Sequence, residues 1–518
     1  MTIDSSSRIS KVIEYLERHF RARNSNLWIW IVLLLTGLSI ASDVKLLMWT
    51  DELFTLFTAR LPDVSKMLHA IQEGSDVPAP LYDLLVHFLI PVVRNDALAV
   101  RLPATLGFYA MLPGLFIFCR RRVGSLYAFI AAMLACEVCL YYATDGRAYG
   151  VVLGCTAWAL VFWQRVSGNS SPSGNSSQRL GNLVGLGVCL SLMVAFHSFA
   201  VFFLGPLLFV EAVRFVRERK VDVGILAAAG VALLVLAAHY PFMVAGAKDS
   251  VNFWSKASLT MIRPWYEAFL LPILGICGMA VLLRLFLGNA EGAVQSREPI
   301  PVLEWIMLAG LTASPAAVIL IAKYTVHGFV DRYALWAVVG IAALVVFAMY
   351  REFQGHRPVG ILIAAGLVAA VLTHQIKTLL PGKPQLREAQ AALDRVSELK
   401  DWNSAILVPD QHYFVELSYY APSPVRSHIY FPLQKDMLFT ALYHHTDLAI
   451  EPMPQFLAGH RSGFTLVSAK ADLATQLIQK GFEVTPLGPL KSPMVWKVRS
   501  GRSETDPGTA GNRRDKQN

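Results

Sequence analysis

The stretch "PLYDLLVHFLIPVV", Pro80 to Val93, decides how the rest of the chain is laid out. It is apolar enough to pass for a membrane span. Yet it is short, it carries Asp83 and His87, and it starts and ends near prolines and a charge. A bilayer core takes about 20 helical residues to cross. If this segment crosses, Arg120–Arg122 and the run "RFVRERK" at Arg214–Lys220 fall outside, against the rule that basic loops stay in the cytoplasm. If it lies flat on the outer surface, every later assignment flips. Arg120–Arg122, Arg165 with Arg179, Arg214–Lys220, Arg284 with Arg297, and Arg351 with Arg357 then all face inward. One change satisfies five loops, so the flat reading is the consistent one.

Composition agrees with a membrane setting. Of the 518 residues 54% are apolar and 16% charged, against about 25% charged in ordinary soluble domains. The apolar residues come in blocks of about 18–22, the length of a span. The reading is a mainly α membrane protein with about eleven transmembrane helices. Residues 1–26 form a cytoplasmic segment, too charged for a signal peptide. Residues 27–379 form the membrane domain, with a large first external loop at 49–100. In that loop Leu61, Val64, Leu68 and Ile71 recur at helical spacing, so this segment and 80–93 read as two interfacial helices. The stretch 181–213 is too long for one span and turns at His197-Ser198-Phe199, on the outside. Asn169 and Asn175 match a glycosylation pattern, but on this topology they face the cytoplasm.

Beyond 380 the pattern changes. Strand-like and helical runs alternate ("SAILVPD" 404–410, "HYFVELSYYA" 412–421, "GFTLVSA" 463–469, "ADLATQLIQKGF" 471–482, "MVWKVRS" 494–500), which reads as a small extracytoplasmic α/β domain over 380–500. Residues 501–518 read as a disordered tail. The six cysteines lie in or beside apolar runs and read as small hydrophobes. The net charge of +9 falls in loops and tails, a topology signal that does not point to nucleic acid.

With this topology the ionisable residues gather on the outer face. Asp51 and Glu52 follow the first span. The turn "YYATDGRAYG" brings Tyr142, Asp145 and Arg147, and the next outer turn brings His197. The turn "KYTVHGFVDRY" brings Arg332. Mid-span positions are almost purely apolar, unlike a transporter, which needs ionisable groups along a pathway. A transporter or flippase of a lipid-linked glycan is therefore the second reading. A carboxylate suits general-base work on an alcohol or amine. Arginines suit a phosphate. At a membrane edge that phosphate is naturally a lipid's.

The ordered set "WTDE" (Trp49–Glu52), "P-LY-LL-H" (Pro80–His87), "RLPA" (Arg101–Ala104), "YY…R-Y" (Tyr141–Tyr149), the turn at His197 and "RY" (Arg332-Tyr333) resembles the GT-C superfamily of polyprenyl-phosphate-dependent glycosyltransferases. The nearest branch is that of the protein O-mannosyltransferases and the lipid A aminoarabinose transferase. The resemblance runs from about residue 28 to 350 and departs from the family where many relatives read "HPP"; this chain has Val77-Pro78-Ala79-Pro80. It implies an inverting transfer from a polyprenyl-phosphate sugar to an acceptor glycan, lipid or protein, on the outer face of the cell's inner membrane. Asp51 matches the catalytic base and Glu52 its neighbour. Asp145 matches a second acid, and Arg147 and Arg332 match positions near the donor phosphate. Tyr142 and His197 are further candidate substrate contacts. No cofactor is expected and no metal-ligand spacing stands out, which leaves a divalent ion open.

Overall fold

The computed structural model describes residues 27–76, 79–168, 176–249, 255–287, 299–353, 356–379, 391, 393–396, 404–433, 440–488 and 492–500. The N-terminal segment 1–26, the tail 501–518 and both Asn169 and Asn175 lie outside the described residues. Contacts divide the chain into two units, Met1–Lys383 with Leu438–Thr446, and Pro384–Met437 with Asp447–Asn518.

The first unit is a helix bundle. Helix α1 (Leu27–Lys45) leads to three short helices, α2 (Thr50–Ala59), α3 (Val64–Gln72) and α4 (Leu81–Val93). Then come α5 (Asp96–Cys139), α6 (Tyr149–Gly168), α7 (Ser176–Phe196), α8 (Leu204–Glu218), α9 (Val223–Ala238), α10 (Tyr240–Asp249), α11 (Ile262–Phe269), α12 (Leu271–Leu287), α13 (Val302–Tyr324), α14 (Ala337–Glu352) and α15 (Arg357–Leu379). The apolar blocks read as spans fall on these helices, though not one to one: two share α5, and 267–287 is divided between α11 and α12. By length and composition six described stretches could cross a bilayer, or seven if the bent pair α11–α12 is one span. The outward apolar side chains suit lipid contact: Phe286 is 87% exposed and Leu234 71%.

The loop at 49–100 holds three helices where two were expected. Helix α2 starts at the acidic pair itself. The N–H of Trp49 donates to Glu52 Oε2 at 3.1 Å, which caps the helix, and the two acids sit at the positive end of its dipole. Helix α3 buries Met67, Ala70 and Ile71 against Leu61, Leu84 and Phe242, so its apolar side faces protein. Helix α4 spans 13 residues, about 20 Å at 1.5 Å per residue, too short to cross. Its Asp83 is buried and His87 Nδ1 lies 2.7 Å from the Ala59 carbonyl oxygen, while Phe88 and Val92 point outward. That is the arrangement of a helix lying at an interface.

Helix α5 breaks at Gly124, where φ is 79° and ψ 175°. The basic run Arg120–Arg122 is therefore helical, not a loop. Arg122 turns inward and grips Glu304 of α13, with Nη2–Oε1 at 2.6 Å and both groups buried. Helices α5 and α6 meet through glycines. A Cβ on Gly150 would stand 2.1 Å from the Ala104 carbonyl oxygen, and one on Gly154 would stand 2.4 Å from that of Gly107. This is the close approach that small residues four apart allow. Gly150→Ala should therefore push the helices apart, at a cost of about 1–3 kcal/mol, the usual size of an overpacking penalty. Gly205→Ala and Gly230→Ala meet nothing within 4 Å and should leave the melting midpoint in detergent nearly unchanged.

The second unit is the α/β part. Its strands are β1 (Ile406–Leu407), β2 (Ile429–Leu433), β3 (Ile450–Pro452), β4 (Phe464–Ser468), β5 (Phe482–Pro486) and β6 (Met494–Ser500). They form one sheet in the order β3-β2-β1-β4-β6-β5. The β3-β2-β1-β4 part is parallel, and β6 runs antiparallel to β4 and β5. Leu407, Phe456, Phe464, Leu466 and Trp496 pack in its core. The segment 412–421 is helical: Asp410 caps a helix over Gln411–Tyr420 by accepting from the His412 N–H at 3.0 Å. The helix Thr440–His445 belongs by its contacts to the first unit, where it packs on α2 and α3, and His445 Nε2 lies 2.7 Å from Glu73 Oε2.

Candidate functional site

The site gathers where the start of α2, the turn 140–148 and the turn 331–334 meet. Asp51 lies in the first turn of α2. Its Oδ2 accepts from Arg332 Nη2 at 2.8 Å, and its side chain stays 20% exposed. Arg332 is fixed from other sides as well. Its Nε donates to the Tyr149 hydroxyl at 3.0 Å, and its guanidinium lies over the rings of Trp49 and Tyr149, 5.6 and 5.7 Å from their centroids. Planar stacking of this kind is open to arginine and not to lysine.

Glu52, one residue on, has a different environment. It is fully buried and its oxygens are taken by protein. Arg101 donates to both, Nε–Oε1 at 2.7 Å and Nη2–Oε2 at 2.6 Å. The Gly146 N–H donates to Oε1 at 2.7 Å. Arg101 also donates to the carbonyl oxygens of Asp43, Leu46 and Leu47, between 2.8 and 2.9 Å. Glu52 thus ties the end of α1, the start of α2 and the turn at Gly146 into one knot. A Cβ at Gly146 would come within 2.9 Å of Glu52 Oε1 and 2.5 Å of Val100 Cγ1, so the turn needs glycine to approach.

Arg147 is also held by protein. Its Nη2 donates to Asp76 Oδ1 at 2.9 Å and its Nη1 to Asp76 Oδ2 at 3.0 Å. The same Nη1 reaches the Asp51 carbonyl oxygen at 3.0 Å and Thr55 Oγ1 at 2.6 Å. Arg147 therefore fixes the backbone of Asp51, while Arg332 fixes its carboxylate. Asp145 is buried and accepts from Trp49 Nε1 at 3.1 Å, which orients the indole beneath Arg332. Tyr142 packs edge-on to Tyr149, with ring centroids 5.8 Å apart. All seven residues singled out in the sequence thus come to this end of the bundle. Asp51 and Arg332 make a pair about one-fifth exposed; Glu52, Asp145 and Arg147 stand behind it with protein partners.

Three residues in this region went unassigned in the sequence: Arg101, Asp76 and Asp83. Arg101 stood in the quoted "RLPA", but its partner is 49 positions away. Asp76 and Asp83 line a cavity of about 20 Å³ together with Thr55, Tyr82, Arg147 and His197, room for one water-sized group. Burial, and then the charge of Asp76, push the Asp83 carboxyl well above the usual range, and it hydrogen-bonds Asp76. A neutral acid donating to a carboxylate is the chemistry that two adjacent carboxyls adopt. Among the described residues no three His, Cys, Asp or Glu side chains gather to hold a metal ion.

His197 sits in the turn after α7, packed among the rings of Tyr149, Tyr333 and Phe199. Burial, then the charges of Arg147 and Arg332, lower its pKa to about 3. It is neutral in the folded state at every ordinary pH. The unfolded chain takes up its proton near pH 6.5, so this group's contribution is present above that value and is lost as pH falls toward 3. The loss should reach about 2 kcal/mol by pH 5. His197→Phe should lose less stability than the wild type between pH 7 and pH 5, as read from melting midpoints in detergent. Equal losses would show that the buried imidazole is not the source.

No family model and no curated protein sequence matches the chain. Solved structures do. The crystal structure of ArnT from Cupriavidus metallidurans in the apo state superposes with a TM-score of 0.56 at 11% identity, covering 91% of this chain and 98% of that one. The structure of the same protein bound to undecaprenyl phosphate gives 0.56 at 11% identity, covering 93% and 100%. The archaeal oligosaccharyltransferase AglB from Archaeoglobus fulgidus, in complex with an inhibitory peptide and a dolichol-phosphate, gives 0.42 at 12% identity, covering 78% and 64%. What the chain shares with ArnT, end to end, is the fold, and it is the GT-C fold that the ordered motifs imply.

Proposed function

We propose that the protein is an integral membrane glycosyltransferase that moves a sugar from a polyprenyl-phosphate donor to an acceptor glycan, lipid or protein, with inversion at the anomeric carbon. The observation that carries this reading is the Asp51–Arg332 pair. A part-exposed carboxylate is held at 2.8 Å by a guanidinium at the edge of an apolar bundle. The fold supports it, being shared with a protein whose structure was solved with undecaprenyl phosphate bound.

The steps follow from these two groups. The acceptor's O–H or N–H proton passes to Asp51. The freed electron pair attacks the anomeric carbon from the side opposite the phosphate. The bond from that carbon to the bridging oxygen breaks, and polyprenyl phosphate leaves with its electrons. Arg332 is the cation placed to meet the charge that develops on the leaving oxygen, as oriented donors do in other transfers. Glu52, Asp145 and Arg147 serve as positioning residues. Glu52 anchors the acidic turn, Asp145 orients Trp49, and Arg147 pins the backbone of Asp51. Tyr142 and His197 wall the site. No cofactor enters the scheme. The site lies on the outer, periplasmic face of the inner membrane, with the N-terminus in the cytoplasm and the α/β unit outside.

The test is direct. Purified protein in nanodiscs, given radiolabelled polyprenyl-phosphate sugars and a panel of acceptors, should release polyprenyl phosphate and label an acceptor. Movement of intact labelled lipid between leaflets, with no covalent product, would replace the transferase reading with that of a flippase.

A further inference from the structure

We propose that the cavity lined by Asp76 and Asp83 is a subsite for one hydroxyl substituent of the transferred sugar, with Asp83 as its specificity-determining residue. This rests on the transferase reading and deepens it.

The cavity adjoins the proposed base on two sides. Arg147 and Thr55 line it, and both reach the Asp51 carbonyl oxygen, at 3.0 and 3.4 Å. Tyr149 lines it too, and its hydroxyl takes the Arg332 hydrogen bond. Three residues that line the cavity, Thr55, Arg147 and Tyr149, are thus also bonded to Asp51 or Arg332, so a ring seated at that pair is one side chain away from it. At about 20 Å³ the space admits a hydroxyl but not a ring.

Charge selects the kind of group. Asp76 is paired with Arg147, burial pushes the Asp83 carboxyl well above its usual range, and the pKa of the His197 imidazole is held low. A phosphate here would face the Asp76 carboxylate with the neighbouring guanidinium already engaged. A hydroxyl needs no counter-charge. Asp83 is 3% exposed, and its Oδ1 meets no hydrogen-bond partner from another described residue. A buried carboxyl oxygen is costly in that state, and a hydroxyl donor satisfies it.

The measurement is saturation-transfer NMR on the full chain in nanodiscs, which needs no turnover. The probes are methyl glycosides of common hexoses and pentoses, each parent's monodeoxy analogues, an amino sugar and inorganic phosphate. For the parent that binds, one monodeoxy analogue should bind about tenfold more weakly, the effect of leaving a buried polar group unpaired. Asp83→Ala should remove that difference. Asp83→Leu, which keeps the shape without the acceptor oxygen, is the second variant if the alanine protein does not fold. Phosphate should show no contact that depends on Asp83. The proposal is overturned if both variants discriminate among the analogues as the wild type does, if no glycoside contacts the wild type, or if the amino sugar or phosphate depends on Asp83 more than the parent does. Failure of the lipid-release assay with success here would remove the transferase reading and keep a sugar site.

Discussion

Asp51→Asn should slow the release of polyprenyl phosphate by about 10²–10⁴-fold, the usual contribution of a positioned general base. The amide keeps the size of the carboxylate and can still accept from Arg332, but it takes no proton from the acceptor. Because the base acts only in the transition state, kcat and kcat/KM should fall together while donor binding is kept. Folding should lose less than when the fully buried Glu52–Arg101 pair is broken. The pair with Arg332 is about one-fifth exposed on each side, the amide oxygen still accepts from Arg332, and the cost should be about 1–3 kcal/mol. Turnover measured on a panel of acceptors, beside a melting curve, separates these outcomes. Full activity in the variant would remove Asp51 from the chemistry.

Glu52→Gln should do the reverse: a large loss of stability. The substitution leaves Arg101 charged and buried among three carbonyl oxygens, with its carboxylate gone. Breaking a buried ion pair from one side costs about 3–5 kcal/mol. The melting midpoint should drop, and turnover should fall with it as the acidic turn loosens. Arg101→Met combined with Glu52→Gln should be milder than the sum of the two single changes, since the stranded charge is then absent. If Glu52→Gln instead kept its midpoint and lost turnover, Glu52 would be a group that meets substrate.

Neighbouring acids thus have unlike surroundings, which the resemblance hinted at by matching Asp51 to a base and Glu52 to its neighbour, and which residue type and spacing alone could not show. Asp51 and Glu52 read alike on the page; only the helix start sends one carboxylate outward and the other into the bundle. What was legible was everything with a period or a length. Apolar blocks gave the helices, and the short Pro80–Val93 segment gave a helix of 13 residues, too short to cross. What was not legible were pairings over long separations. Arg147 meets Asp76 across 71 positions, and Arg122 meets Glu304 across 182. A charge that looks like a phosphate clamp or a cytoplasmic marker in one dimension is, in three, half of a buried pair. Asp83 escaped notice for a related reason. Inside an apolar run it reads as a mark against spanning, and its nearness to Asp76 depends on how the chain turns between α3 and α4.

The helix Thr440–His445 has a consequence for the order of synthesis. It docks on α2 and α3, yet it is made some 370 positions after Glu73, the residue that His445 reaches. While the ribosome is still translating the bundle, that flank of the acidic turn has no cover. It closes once the chain has left the bundle, entered the sheet through β1 and β2, and come back. A nascent chain stopped before this helix would carry every charged group of the site, with the surface of α2 and α3 that it packs on left bare. Removing the α/β unit therefore takes two excisions, 384–437 and 447–518, with the short helix kept between them.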